Sequence, residues 1–208
     1  MSEVSGQLPG VELRSVAEIR QLSLEDADRD LRVDFQGVVA ARLRVRKRLY
    51  VVDGSAVLPL IVSGTNSNFE VGQRVQVRGK TAVINGTINC LVTDILPIGP
   101  PGLIPPGEPI SIRELHDQDL VYRWVKVEGM VQSAVMRPRN RMGVTLRERG
   151  RTFYVTSRQL PDTTPDDLRY GTLEATGLVV PSEGGATAGS PILWADGSNL
   201  KITKNPPR

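Results

Sequence analysis

The chain has 208 residues and a formal net charge of +3, which is too small to indicate an anionic partner by itself. Its 20 glycines and 15 prolines, together with the lack of long helical periodicity, are typical of an all-β protein with many turns. The single Cys90 excludes a disulfide within the chain, and we expect no membrane-spanning helix because no run of about 18 apolar residues occurs.

One pattern occurs twice and relates the two halves of the chain. Residues 33–39 and 125–131 both alternate apolar and polar side chains up to a glycine, Gly37 or Gly129, which an apolar pair follows. Such alternation indicates a strand with one buried face, and a glycine within it indicates a bend. The sequence therefore predicts two copies of one small domain.

The first half is predicted to contain a short helix followed by five strands. Ser15 and Glu18 form an S-x-x-E capping box that starts the helix, and Ser23 starts a weaker second turn. Asn85-Gly86 is the strongest hairpin signal. The predicted strands cover residues 31–43, 49–52, 57–62, 74–84 and 87–96.

The second half repeats this order after a segment rich in proline and glycine, residues 97–109. Ser111 and Glu114 form the second capping box. Gly72 and Gly171 are predicted to occupy equivalent turns before the fourth strands. The predicted strands of this half cover residues 123–135, 143–147, 152–157, 172–180 and 192–202.

Five strands with a bent first strand fit the OB-fold, a small Greek-key barrel, and an SH3-like barrel is the alternative. The predicted fold class is therefore all-β, with two tandem five-stranded OB-like Greek-key barrels that each follow a short helix. The predicted boundaries are a flexible tail at 1–10, a barrel at 11–96, a linker at 97–109, a barrel at 110–204 and a tail at 205–208.

Several segments together resemble the tandem OB-like extracytoplasmic region of bacterial sensor histidine kinases. These segments are Ala17–Ser23, Val33–Val39, Leu49–Gly54, Ser111–Leu115 and Trp124–Val131. The resemblance implies a sensory or interaction module of a larger signalling protein and leaves its ligand open. We expect a protein or a small anionic ligand as the partner, with nucleic acid as a further possibility. The resemblance also implies a periplasmic location, with a cytoplasmic location as the alternative.

Two basic segments lie between the first and second strands of the predicted barrels, beside the usual OB ligand face. They contain Arg42, Arg44, Arg46, Lys47 and Arg48 in the first half and Arg137, Arg139 and Arg141 in the second. Such residues at equivalent positions can bind phosphates or an acidic partner. Solvated arginines at hairpin tips are the alternative interpretation.

Aromatic residues on the same face would let bases stack, as in proteins that bind single strands. Tyr50 and Tyr154, on a predicted second and third strand, are the candidate stacking residues. Only one of Phe153 and Tyr154 can face outward, because neighbours on a strand alternate, and Trp124 and Phe35 are expected to fill the barrel interiors. The chain has only two Trp, four Tyr and three Phe, which makes such a surface small.

No set of residues suggests catalysis. His116 and Cys90 stand alone as metal-ligating or nucleophilic types, and Gly79–Thr81 lacks the first glycine of a phosphate-binding loop because Arg74 occupies its place. We expect a non-catalytic binding module without metal or cofactor. A sensory or interaction region is the first hypothesis, and a tandem OB protein that binds single-stranded nucleic acid or another polyanion through the basic segments is the alternative.

Overall fold

The computed structural model describes residues 12–43, 48–62, 69–102, 104–117, 120–138, 140–158, 163–181, 191–195 and 199–204. The chain divides into two compact units, Met1–Ile104 and Pro105–Arg208. Within each unit the strands join into one sheet that closes on itself.

The two units contain similar elements in the same order. The first contains β1 (Glu12–Leu13), α1 (Val16–Arg20), α2 (Leu24–Ala27), β2 (Arg32–Leu43), β3 (Arg48–Asp53), β4 (Ala56–Val62), β5 (Arg74–Ile84) and β6 (Thr87–Pro97). The second contains β7 (Glu108–Pro109), α3 (Ile112–Asp117), β8 (Trp124–Arg137), β9 (Arg141–Glu148), β10 (Arg151–Arg158), α4 (Pro165–Leu168), β11 (Thr172–Pro181), β12 (Pro191–Ala195) and β13 (Leu200–Lys204).

The strand order is that of two OB-like barrels. In the first unit the order is β2-β3-β4-β6-β5, and β5 pairs again with β2 to close the barrel. The second unit repeats it as β8-β9-β10-β12-β11, with β11 pairing with β8. In both barrels the third and fifth strands run parallel and the other pairs of this ring are antiparallel. The predicted fold class is therefore confirmed.

The repeated glycines lie where the long first strand changes its partner. Strand β2 pairs with β5 up to Val38 and with β3 from Val38 onward, directly after Gly37. Strand β8 changes from β11 to β9 at Met130, directly after Gly129. A Cβ at Gly37 would overlap Val51 Cγ1 and lie 2.9 Å from the Val52 carbonyl oxygen. Close approach of the next strand therefore explains the glycine, without any unusual backbone conformation.

The last strand of the second barrel differs from the prediction. The sequence predicts one strand over 192–202, whereas the structure has β12 and β13, which both pair with β11. The gap between them falls at Asp196-Gly197-Ser198, which lies outside the described residues. These residue types favour turns and disfavour strands, and this signal outweighs the alternation on either side.

Both predicted capping boxes form, although of these two only that of α3 is complete. Ser15 Oγ accepts from the Glu18 N–H at 3.2 Å, while the Glu18 carboxylate accepts from the Arg14 N–H and not from that of Ser15. At α3, Ser111 and Glu114 bond to each other in both directions, at 3.2 and 2.8 Å. The hydrogen bond from the Ser111 hydroxyl, and then that from its N–H, lowers the pKa of Glu114.

Each barrel has one mainly aliphatic core, to which both of its short helices contribute buried side chains. Phe35 packs in the first interior as predicted. Trp124 does not fill the second interior, because Val125 and Val127 on the same strand face the core and Trp124 alternates to the outside. Its ring is nevertheless buried, and its Nε1–H donates to the Pro105 carbonyl at 2.8 Å. The prediction of an interior tryptophan is therefore wrong for Trp124.

The proline-rich segment 97–109 bonds to the units at both of its ends. Strand β6 runs to Pro97, and the Gly102 N–H donates to the Gly72 carbonyl at 3.0 Å. Strand β7 pairs in parallel with β8. Backbone hydrogen bonds therefore order parts of this segment within each unit.

The turn before the fourth strand shows that Gly72 and Gly171, which were predicted to be equivalent, differ in position by one residue. The Gly72 N–H donates to the Val39 carbonyl at 2.8 Å, and the Tyr170 N–H donates to the Val131 carbonyl at 3.0 Å. Val39 and Val131 are equivalent, so Gly72 corresponds to Tyr170 and not to Gly171. Both residues have positive φ, +89° for Gly72 and +65° for Tyr170.

Candidate nucleic-acid interface

The second barrel presents one open sheet surface, which we call the outer face. On β9, Met142, Val144 and Leu146 pack in the core, so the residues between them face outward. Strand pairing extends this face to both neighbours of β9 and on to β12. The outer face consists of Met130, Ser133, Val135 and Arg137 on β8, Arg141, Gly143, Thr145 and Arg147 on β9, Thr152, Tyr154 and Thr156 on β10, and Trp194 on β12.

A row of four residues crosses the outer face from β8 to β12. Val135 pairs with Gly143, Gly143 pairs with Thr156, and Thr156 pairs with Trp194. Trp194 is partly exposed, and the Arg141 guanidinium carbon lies 5.7 Å from its ring centroid. This distance is within the range of a cation–π contact, which fixes the tryptophan and the positive charge beside each other.

Tyr154 lies over strand β9 because the residue there is a glycine. A Cβ at Gly143 would overlap the Tyr154 hydroxyl group. Gly143 pairs with Thr156, the neighbour of Trp194, so both rings lie close to the same part of the sheet. The outer face therefore combines two partly exposed aromatic rings.

The charge of the outer face is positive. Arg137 and Arg141 are exposed at paired positions on β8 and β9, and Arg147 is exposed near the other end of β9. None of the residues that make up the outer face is a carboxylate, and among the described residues no ion pair joins Arg137 or Arg141 to one.

The first barrel does not offer an equivalent surface. Tyr50, predicted to stack on a base, is only 3% exposed, so its ring has no face available and the prediction fails for this residue. Its outward neighbours Val52 and Val57 are fully buried. Around Tyr50 this side of the sheet is therefore apolar and buried, in contrast to the arginines and threonines of the second barrel.

The structure describes four of the eight basic residues that were predicted to bind an anion. Arg44, Arg46, Lys47 and Arg139 lie outside the described residues. Arg42 and Arg48 are partly buried near the ends of β2 and β3. Arg137 and Arg141 lie on the outer face, and the structure brings Arg141 together with an aromatic ring that the sequence-based prediction did not include.

Trp194 is the residue that sequence reasoning missed. The segment Ile192-Leu193-Trp194-Ala195 alternates, and Leu193 and Ala195 are in the core. The same alternation places Trp194 outside, beside the third strand. The information was present in the sequence, but it required the parallel pairing of β10 with β12 to connect Trp194 with Arg141.

His116, the one histidine of the chain, makes contacts that stabilise the fold. His116 Nε2 lies 2.9 Å from the Thr152 carbonyl oxygen, and its ring packs edge-on against Phe153. In the described stretches no group of three His, Cys, Asp or Glu side chains could hold a metal ion. No helix in those stretches is long and apolar enough to cross a membrane.

Cys90 is buried, and its burial raises the pKa of the thiol to about 12. We expect no labelling by a thiol reagent at pH 8 in the native state and full labelling in denaturant. Because the unfolded thiol ionises near pH 8.5, stability is unaffected below that pH and falls as pH rises from about 8.5 towards 12. Native and denatured labelling at equal rates would contradict the buried position.

A shallow depression beside α3 is lined by three glutamates, Glu114, Glu128 and Glu174, and each of their carboxylates already has a partner within the protein. Glu174 pairs with Lys126 at 3.3 Å, and Glu128 accepts from the Thr203 hydroxyl at 2.8 Å. The third carboxylate, Glu114, belongs to the capping box of α3. These contacts account for the acidic residues without a ligand.

Comparison with known proteins gives weak similarities. No family model and no curated protein matches the sequence. Asparaginyl-tRNA synthetase of Entamoeba histolytica matches at 15% identity and TM-score 0.38, over 50% of this chain and 25% of that enzyme. The Ifi202 HINa domain in complex with 20 bp double-stranded DNA matches at 12% sequence identity and a TM-score of 0.38. That match covers 84% of this chain and 96% of the HINa chain. The E. coli hypothetical protein ygiW matches at 16% sequence identity and a TM-score of 0.36. That match covers 44% of this chain and 100% of ygiW.

This chain therefore spans only a quarter of the synthetase that it matches. Identities and TM-scores this low carry no conclusion about function, and the fold assignment rests on the strand order. The resemblance to sensor histidine kinases gains no support from these comparisons.

Proposed function

We propose that this protein is a non-catalytic binding module that binds single-stranded nucleic acid on the outer face of its second barrel. The observation that carries the proposal is the contact between Arg141 and Trp194. A partly exposed tryptophan offers a surface on which a base can stack, and the adjacent guanidinium can neutralise a phosphate. Tyr154 adds a second ring close to the first.

The shape of the outer face favours a single strand over a duplex. Base stacking on a side chain requires an unpaired base, whereas readout of a duplex requires an element that enters a groove. Neighbouring strands lie about 4.8 Å apart, so the four strands from β8 to β12 span about 14 Å. The hydroxyl groups of Ser133, Thr145 and Thr156 can serve as hydrogen-bond partners without selecting one base.

The sensory role implied by the resemblance to sensor kinases ranks second. It requires a protein or small-molecule partner, and the positive, aromatic outer face fits a polyanion with bases better. We also propose that the protein has no catalytic activity, because Cys90 is buried and protonated at neutral pH and His116 contacts a backbone carbonyl.

The test is a titration of the protein with a labelled oligothymidylate at two salt concentrations, with heparin as a polyanion without bases. We expect binding that weakens with salt, with a log–log slope of about −0.7 per neutralised phosphate. Changing Arg137 and Arg141 together to glutamine removes two such contacts and should flatten the slope by about 1.4. Arg32→Gln, an exposed charge on the first barrel, is the matched control and should leave it unchanged.

Two results would overturn the proposal. One is the absence of binding to the oligonucleotide at low salt. The other is equal affinity for heparin and oligothymidylate, which would mean that charge alone attracts the ligand and that the aromatic rings have no role.

A further inference from the structure

Tyr170 has a backbone conformation that a bulky side chain rarely adopts. Its φ is +65°, and the equivalent residue of the first barrel is a glycine, Gly72. A left-handed conformation places Cβ against the following carbonyl oxygen, which only glycine avoids completely. The second barrel therefore has a strained tyrosine at the position where the first barrel has a glycine.

Core packing does not explain this tyrosine. Its side chain is 60% exposed, more than any other large hydrophobic side chain in the described stretches. Strain in a native structure persists where surrounding contacts impose it, and it is concentrated at functional sites. An exposed ring held at such a cost suggests that the ring itself has a use.

The surroundings hold Tyr170 in a fixed place. Helix α4 precedes it with a complete capping box between Thr164 and Asp167, and Leu168 is buried. The N–H of Tyr170 donates to the Val131 carbonyl at 3.0 Å, and the next N–H, of Gly171, donates to the Leu168 carbonyl at 3.0 Å. The turn is therefore bonded on both sides to the barrel and to α4.

Tyr170 lies beside strand β8 at the end of the outer face opposite Arg137 and Arg141. Val131, its hydrogen-bond partner, follows Met130, which is 43% exposed and pairs with Arg147 on β9. The backbone of Tyr170 therefore lies beside the part of β8 that carries the exposed Met130, whose partner on β9 is Arg147.

We propose that Tyr170 is a further stacking residue for single-stranded nucleic acid, at the end of the outer face distant from Trp194. This inference rests on the proposed function. Val131 and Val135 are four residues apart, about 13 Å along the strand, and Trp194 is three strands away from β8, about 14 Å. A ligand must be long enough to reach both rings before Tyr170 can contribute.

The experiment compares Tyr170→Gly and Tyr170→Phe with the unchanged chain, with thermal unfolding and binding as separate readouts. Tyr170→Gly relieves the strain and should raise Tm by about 4 °C or more. It should also weaken binding of an oligothymidylate of about 12 nucleotides by about fivefold or more, the low end of the effect of one stacked base. Tyr170→Phe keeps the ring and should bind as the unchanged chain does.

Ligand length provides the internal control. An oligothymidylate of about 4 nucleotides is near the lower limit of an OB site and should not distinguish Tyr170→Gly from the unchanged chain. If Tyr170→Gly binds the long ligand normally while Trp194→Ala weakens it, Tyr170 is outside the site and this inference is wrong. If neither variant affects binding, the outer face is not the binding surface and the proposed function also fails. If Tyr170→Gly unfolds at a lower Tm than the unchanged chain, the backbone at Tyr170 is not strained.

Discussion

Replacing Trp194 by alanine is expected to weaken binding of a single-stranded oligonucleotide by about 5-fold to 150-fold. This range corresponds to a loss of about 1–3 kcal/mol, the usual effect of removing one aromatic stacking partner. The loss should fall in the upper part of the range, because the ring also contacts Arg141 and its removal frees that side chain to move. Fluorescence anisotropy of a labelled oligothymidylate measures the effect.

Two control variants separate stacking from general damage. Trp194→Phe keeps an aromatic face and should recover most of the affinity. Ile202→Ala removes an exposed apolar side chain from β13, which is not part of the outer face, and should bind normally. Equal affinities of Trp194→Ala and the unchanged chain, with unchanged thermal unfolding, would remove Trp194 from the site.

The fold was predictable because its signals are local. Alternation, glycine spacing and turn residues are read within about ten residues, and they gave the first barrel's fourth strand, Arg74–Ile84, at its observed bounds. The bends at Gly37 and Gly129 were predictable for the same reason, since each repeats a short pattern. The order of the strands followed from the fold class and not from any single segment.

The candidate site was only partly predictable because it is assembled from distant segments. Arg141 and Trp194 meet through the pairing of β9 with β10 and of β10 with β12, and no local pattern reports such pairing. Tyr50 was wrongly chosen because alternation predicts which side a residue faces but not whether that side is covered. Tyr170 escaped notice since its conformation is visible only in three dimensions.

A large loss of stability is expected from Gly37→Val in the first barrel. A Cβ at this position would overlap Val51 Cγ1 and approach the Val52 carbonyl oxygen, and backbone of a paired strand cannot move aside as a flexible side chain can. Overpacking of this kind costs about 1–3 kcal/mol. Because each kcal/mol lowers Tm by about 4–8 °C in a domain of this size, the melting temperature of the first barrel should fall by about 4–24 °C.

A series of glycine variants tests the cause of this loss. At Gly129 a Cβ would lie 3.0 Å from Ile112 Cδ1, 3.1 Å from Leu146 Cβ and 3.3 Å from the Arg147 carbonyl oxygen, which are tight contacts but longer than those at Gly37. At Gly99 a Cβ would meet no atom within 4 Å. Thermal unfolding of the three valine variants should therefore give the order Gly37→Val, Gly129→Val, Gly99→Val, from the largest loss to almost none. Equal losses at Gly37 and Gly99 would mean that the general cost of replacing a glycine, and not the approach of β3 to the bend of β2, determines the effect.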